Sequence, residues 1–98
     1  LVLLGMGEDG HTASLFPGHQ HPADHWVVPV HKAPKPPADR VSLSASALAN
    51  CRQLLFLITG SGKQQALTQW RSGADLPIAQ IKTAGECEVL IDSSAWGH

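Results

Sequence analysis

At 98 residues the chain has room for one domain at most, close to the smallest size at which a hydrophobic core stabilises a fold unaided. Seven Lys and Arg residues against eight Asp and Glu give a net charge of −1, and the basic residues form no stripe, so we expect no nucleic-acid partner. No apolar stretch approaches the roughly 20 residues that span a bilayer, so we expect no membrane contact.

The chain opens on an apolar run, Leu1 to Leu4, which predicts a short strand buried on both faces. Gly7 and Gly10 in the loop that follows allow backbone angles and close approaches that a Cβ atom would obstruct. Asp9 and His11 are therefore predicted to project from the carboxyl end of this strand, where open α/β sheets bind their ligands.

The middle of the chain predicts short elements separated by loops. In order, these are one or two helical turns at 12–16, an edge strand at 26–31, an extended proline-rich segment at 33–39, a strand at 41–44 and a helix at 45–50 capped by Ser44.

A second core strand is predicted at 54–59, and it leads into a glycine-rich turn at a helix N-terminus. The amides of Gly60 and Gly62, together with the positive end of the helix dipole, favour an anion there. Lys63 adds a mobile positive charge. A nucleotide P-loop is excluded because Leu57 stands where that motif needs glycine and Gln64 where it needs Ser or Thr.

The last third of the chain continues the alternation of strand and helix. We predict a capping box of Ser61 and Gln64, a helix ending at Gly73, a helical turn at 77–81, a strand at 88–92 and a polar tail at 93–98. Strands that alternate with short helices predict an α/β architecture with a mainly parallel sheet.

Two other groups of side chains are predicted to be chemically inert. His19, His21 and His25 have a spacing that three metal ligands could use, but we expect a solvated loop and no metal. Cys51 and Cys87 lie in or beside apolar segments, so we expect buried free thiols in a reducing compartment, which favours the cytoplasm.

Three segments carry a resemblance to a known family. GMGEDGHTASLFPG at 5–18, PKPPADRVSLSASAL at 34–48 and LLFLITGSGKQQAL at 54–67 closely resemble 6-phosphogluconolactonases, within the family that includes glucosamine-6-phosphate isomerases. The resemblance implies a Rossmann-like three-layer sandwich. It also implies cofactor-free hydrolysis of 6-phosphoglucono-1,5-lactone, a small-molecule substrate, in the oxidative pentose phosphate pathway.

The resemblance also concerns the extent of the chain. Leu1 starts inside a predicted central strand, which needs a neighbour on each side. We therefore expect residues 1–98 to be the C-terminal part of a single lactonase domain, with the N-terminal half absent from this chain.

The resemblance implies roles for the residues of the first loop. His11 would be the general base that removes a proton from the attacking water, because imidazole is suited to this task near pH 7. Asp9 would orient the imidazole or the glycine loop, and the amides of Gly7, Gly10 or the following turn would stabilise the developing oxyanion.

The resemblance also implies a substrate-binding set. Lys63 would contact the 6-phosphate at the turn formed by Gly60 and Gly62, and Arg40 would supply a second contact to the phosphate or the active site.

Two alternatives stay open at this point. A glucosamine-6-phosphate isomerase or deaminase shares the Asp-Gly-His core and the lysine, but such relatives follow it with a glutamate, whereas residues 14–17 here contain no carboxylate. The other alternative is a non-catalytic module that binds sugar phosphates.

Overall fold

A computed structural model describes residues 1–97, and within them the chain forms five strands, three short α-helices and two 3-10 turns. The strands are β1 Val2–Leu4, β2 Val27–Val30, β3 Arg40–Leu43, β4 Gln53–Ile58 and β5 Glu86–Ile91. The α-helices are α1 Ala45–Ala49, α2 Gln64–Arg71 and α3 Ser93–Trp96, and the 3-10 turns are Ser61–Lys63 and Pro77–Gln80.

The strands form two sheets. β1, β4 and β5 make a parallel sheet in the order β1-β4-β5, with Val2 paired to Leu54 and Leu54 to Cys87. β2 and β3 form a separate antiparallel pair in which Val27 lies opposite Leu43. The predicted α/β class with a parallel sheet is confirmed, and the proline-containing strand has the single pairing partner expected of an edge.

The core lies against one face of the parallel sheet. Leu54, Phe56 and Ile58 alternate along β4 and are almost fully buried, because they pack with α1, α2 and the Pro77–Gln80 turn. On the opposite face Leu3 is 59% exposed and Leu57 is 48% exposed. Within residues 1–97 β1 is therefore covered on one face only, not on both faces as expected.

The helical turns predicted at 12–16 do not form. Thr12 and Leu15 instead make an isolated β-bridge around a tight turn, and the N–H of Leu15 donates to the carbonyl of Thr12 at 2.9 Å. Ala13 has a φ of 50°, which a right-handed helix does not allow. The Ser14 N–H donates to Ser42 Oγ at 3.2 Å, so a contact from β3 holds the turn.

The polar tail predicted at 93–98 is a helix where the structure describes it. Asp92 caps α3 by accepting from the Ala95 N–H at 2.8 Å, and Ala95 is fully buried. Gln64 donates to the carbonyl of Ser94 at 2.7 Å and makes no capping box with Ser61, so that prediction is wrong. His98 lies outside the described residues.

Two further predictions concern the burial of the cysteines and the presence of a membrane-spanning segment. Cys51 is half-buried and Cys87 is exposed on β5, so the expected burial of both thiols is wrong, although both are free. Among residues 1–97 the longest helix has eight residues, and none is both long and apolar enough to cross a bilayer.

Candidate active site

The loop after β1 is a compact hydrogen-bonded turn that carries Asp9 and His11. The Gly7 N–H donates to the carbonyl of His11 at 2.8 Å, and the Gly10 N–H donates to the carbonyl of Gly7 at 3.0 Å. The buried Thr12 hydroxyl donates to the carbonyl of Gly5 at 2.8 Å. These bonds close the loop on itself at the carboxyl end of β1.

The two glycines inside this loop have a conformational role. Gly10 has a φ of 86°, a region that residues with a side chain rarely adopt. A Cβ atom on Gly7 would overlap the His11 ring. Because both amides donate within the loop, neither is free here for the oxyanion role that the resemblance implies.

Asp9 and His11 form a short hydrogen-bonded pair. Asp9 Oδ1 lies 2.5 Å from His11 Nδ1 and also accepts from the His11 main-chain N–H at 3.0 Å. An ionised carboxylate only accepts hydrogen bonds, so Nδ1 carries the proton and Nε2 is the basic nitrogen. Among residues 1–97, no atom forms a hydrogen bond with this Nε2.

The pair changes the acidity of Asp9. Partial burial raises the pKa of the Asp9 carboxyl, but the hydrogen bonds from the His11 ring and main chain, together with the charge of His11, outweigh it. The net result is a pKa below the ordinary value of 3.8. Asp9 is thus ionised at neutral pH and holds His11 in one tautomer.

We predict that Asp9→Asn lowers the free energy of unfolding at pH 7 by about 0.5–1 kcal/mol, since solvent weakens a hydrogen bond to a partly exposed carboxylate. Because folding lowers the pKa of Asp9, its contribution is complete well above pH 3.8 and is lost as the pH falls through the lowered value. Urea unfolding at pH 7, 5 and 3 checks this. A difference between the two proteins that stays constant at all three pH values would contradict it.

Phe16 supports the His11 ring, and sequence reasoning missed it. Its ring centroid lies 4.6 Å from that of His11, and the side chain is 2% exposed. The Arg40 guanidinium lies over the same ring, 5.3 Å from its centroid. A single aromatic ring is thus in contact with the imidazole on one side and with an arginine from β3.

Arg40 is occupied by main-chain carbonyls. Its Nε donates to the carbonyl of Pro37 at 2.8 Å, and its Nη2 donates to the carbonyls of Lys35 at 2.8 Å and Pro36 at 3.0 Å. Arg40 therefore braces the proline-rich segment, and its predicted contact with substrate remains a prediction.

Lys63 reaches away from its own turn into the loop after β1. Its Nζ donates to the carbonyl of Met6, next to the glycine whose Cα faces the His11 ring. The side chain predicted to bind phosphate and the predicted base therefore lie at the same edge of the sheet, beyond the carboxyl ends of β1 and β4, although they are far apart in sequence.

The glycine turn before Lys63 has two carboxylates beside it. The Gly60 N–H donates to both oxygens of Asp92, at 3.1 and 3.3 Å. A Cβ atom on Gly62 would lie 2.8 Å from Glu8 Oε1. Asp92 already accepts from the Gly60 amide and the Glu8 carboxylate lies beside Gly62, so the turn as arranged is unfavourable for a phosphate. The predicted phosphate contact of Lys63 stays a prediction.

His11 and Lys63 line a common cleft of about 340 Å³. Its lining contains two lysines and no carboxylate, and comprises Gly5, Met6, Gly7, His11, Thr12, Ala13, Lys35 and Lys63. Sequence reasoning did not single out Lys35. In the sequence Lys35 is marked only by the prolines on either side of it. That pattern does not indicate that Lys35 lines the same cleft as His11.

The histidine-rich loop packs beside this region without forming a ligand cluster. The His19 ring lies edge-on to Phe16 at 5.9 Å, and His21 lies 6.3 Å from His19. Within residues 1–97, no three histidine, cysteine or carboxylate side chains lie close enough together to hold a metal ion.

Comparison with known proteins finds relatives over almost the whole chain. It is 42% identical over 99 residues to "6-phosphogluconolactonase 3, chloroplastic" of Arabidopsis thaliana, covering 97% of this chain and 30% of that protein. It is 36% identical over 101 residues to the 6-phosphogluconolactonase of Rattus norvegicus, covering 97% of this chain and 39% of the relative.

The fold of this chain is also similar to that of a solved structure. The 6-phosphogluconolactonase from Trypanosoma cruzi superposes with a TM-score of 0.82 at 28% identity, covering 99% of this chain and 40% of that one. The chain therefore spans less than half the length of the relatives it matches. The sequence model of the family "Glucosamine-6-phosphate isomerases/6-phosphogluconolactonase" matches residues 1–90, and the chain belongs to that family.

Proposed function

We propose that this chain is the C-terminal portion of a 6-phosphogluconolactonase, which hydrolyses 6-phosphoglucono-1,5-lactone to 6-phosphogluconate. The observation that carries the proposal is the Asp9–His11 pair, with a free Nε2, in a cleft that also contains two lysines. The uncovered apolar face around Leu3 and Leu57 supports the fragment interpretation, because a third layer of the sandwich would bury it.

The proposed reaction begins with water held at His11. Nε2 takes a proton from the water as its oxygen attacks the lactone carbonyl carbon, which converts the carbonyl oxygen to an oxyanion. Collapse of this intermediate breaks the bond between that carbon and the ring oxygen. The imidazolium then returns its proton to the leaving ring oxygen, which becomes the hydroxyl of the open-chain acid.

Asp9 acts in this scheme by holding the ring. Its carboxylate accepts from Nδ1, fixes the tautomer and stabilises the positive charge that the ring acquires during proton transfer. Phe16 packs against the imidazole and restricts its tilt. The base is thus set in place before substrate arrives, which lowers the entropic cost of reaching the transition state.

Lys63 supplies the substrate's phosphate contact. Its Nζ lies at the wall of the cleft beside Met6, so a phosphate bound there would sit at the same edge of the sheet as His11. Holding the substrate by its phosphate places the lactone carbonyl over the base and converts binding energy into rate.

The isomerase or deaminase alternative is less well supported. In the related isomerases a glutamate after the Asp-Gly-His core assists ring opening, and here neither residues 14–17 nor the described lining of the cleft contains a carboxylate. The Ser14 main chain is instead bound to Ser42, in the segment where the related isomerases have their glutamate.

An activity assay on the full-length protein containing this chain tests the proposal. We expect turnover of 6-phosphoglucono-1,5-lactone and none of glucosamine 6-phosphate. Turnover of the amino sugar alone would favour the isomerase, and binding of 6-phosphogluconate without turnover of either substrate would favour a non-catalytic module.

We also propose that the protein acts in the cytoplasm. Cys51 and Cys87 are both free thiols, and Cys87 is exposed. Exposed free thiols are typical of a reducing compartment.

A further inference from the structure

The cleft beside His11 contains a second lysine whose function the proposed mechanism does not yet use. Lys35 comes from the loop between β2 and β3, whereas Lys63 follows β4, and both line the same cleft as His11. Two positively charged side chains therefore line one cleft, and no carboxylate is among its lining residues within 1–97. Such a cleft favours a ligand with two negative charges.

The charge of a phosphate ester matches this arrangement. A phosphate monoester carries about −1.5 to −2 at pH 7. One lysine neutralises a single charge, and Lys63 also donates to the carbonyl of Met6. Full neutralisation of the phosphate therefore needs a second cation, and Lys35 is the other lysine in the lining.

Arg40 fixes the main chain that carries Lys35. Its guanidinium donates to the carbonyls of Lys35, Pro36 and Pro37, and it also packs over Phe16, on which His11 rests. The loop of the second lysine and the ring of the base are thus tied to one arginine. This connection joins the main chain at Lys35 to the ring that contacts His11.

We propose that Lys35 is a second ligand of the substrate phosphate, one that selects phosphorylated over unphosphorylated lactones, and that Arg40 is the residue that positions it. The inference rests on the proposed function for the identity of the substrate. The resemblance implied that Arg40 itself contacts the phosphate or the active site. In this proposal the arginine acts through Lys35 and has no contact with the phosphate.

The test measures binding separately from turnover. Dissociation constants of 6-phosphogluconate and of gluconate are measured for the full-length protein, for Lys35→Met and for Lys32→Met. Lys32 is exposed, lies on the same segment and is absent from the cleft lining. Lys32→Met therefore removes the same charge as Lys35→Met without changing the cleft. We expect Lys35→Met to weaken 6-phosphogluconate binding about tenfold, with gluconate binding and the Lys32 variant unchanged.

Arg40→Lys tests the positioning role through the same ratio of affinities. It should lower the preference for 6-phosphogluconate over gluconate, and in the double variant with Lys35→Met the ratio should fall no further than in Lys35→Met alone. If Arg40 has a purely structural role, Arg40→Lys should weaken the binding of 6-phosphogluconate and of gluconate equally. That result would overturn the positioning role.

The remaining outcomes separate this inference from the proposed function. Equal 6-phosphogluconate affinity in the Lys35 and Lys32 variants would overturn the inference while leaving lactonase activity intact. A tenfold loss in Lys35→Met, with no lactone turnover by the unaltered protein, would support the phosphate ligand and reject the proposed hydrolysis. An unaltered protein that binds no 6-phosphogluconate would overturn both.

Discussion

Replacing His11 with Asn should lower the kcat of the full-length protein on 6-phosphoglucono-1,5-lactone by about 100-fold or more, the usual contribution of a positioned general base. Asn is close to the imidazole in size and can still donate to Asp9, so the loop should keep its shape. Because Nε2 has no structural partner within residues 1–97, its removal should change reactivity far more than stability. Steady-state kinetics with a thermal unfolding curve for each protein measure the two effects.

A matched control exists elsewhere in the chain. His31 Nδ1 lies 3.1 Å from Asp39 Oδ1, so it forms the same kind of pair as His11, but both side chains are mostly exposed and neither lines the cleft. His31→Asn should leave kcat unchanged. Near-normal turnover by the His11 variant would show that another group is the base.

Replacing Lys63 with Met should lower kcat/KM on the phosphorylated lactone by one to two orders of magnitude. A charge-assisted hydrogen bond to phosphate contributes about 1.5–3 kcal/mol, and each 1.4 kcal/mol corresponds to a factor of ten. Hydrolysis of unphosphorylated gluconolactone should change little, because that substrate has no phosphate. The ratio of kcat/KM between the two substrates is therefore the quantity to measure.

The bond between Lys63 and Met6 makes a second outcome informative. If Lys63 serves mainly to hold the loop after β1 through the Met6 carbonyl, Lys63→Met should reduce activity on both substrates equally. That result would reject the phosphate role. Arg71→Met at the end of α2 is a control for the loss of a positive charge outside the cleft and should alter neither rate.

Local sequence was sufficient for the features that depend on neighbouring residues. Short apolar runs predicted two core strands, and these form at Val2–Leu4 and Gln53–Ile58, although β1 pairs only with β4 within residues 1–97. Ser44 caps α1 as predicted, by accepting from the Ala47 N–H at 3.1 Å. Asp9 and His11 are two residues apart, and their side-chain hydrogen bond spans only the intervening turn. The family resemblance implied that Asp9 orients the imidazole.

Predictions failed where a distant segment competes with a local preference. The helical turns at 12–16 give way to a turn held by Ser42, and the capping box at Gln64 gives way to a bond with Ser94. In both places the local signal was real but weak, since one cap or one helical turn contributes about 1 kcal/mol. A single long-range hydrogen bond of similar strength is enough to change the outcome.

The composition of the cleft was decided by tertiary structure alone. Lys35 and Lys63 lie far from His11 in sequence, but all three line one cleft. Lys63 is brought there because β4 pairs with β1. Lys35 is brought there because Arg40 joins the β2–β3 loop to Phe16. The sequence by itself determined the core strands and the turn glycines, since each depends on a few adjacent residues. Which cations lie beside the Asp9–His11 pair depends on the path of the chain between them, and no local spacing encodes that path.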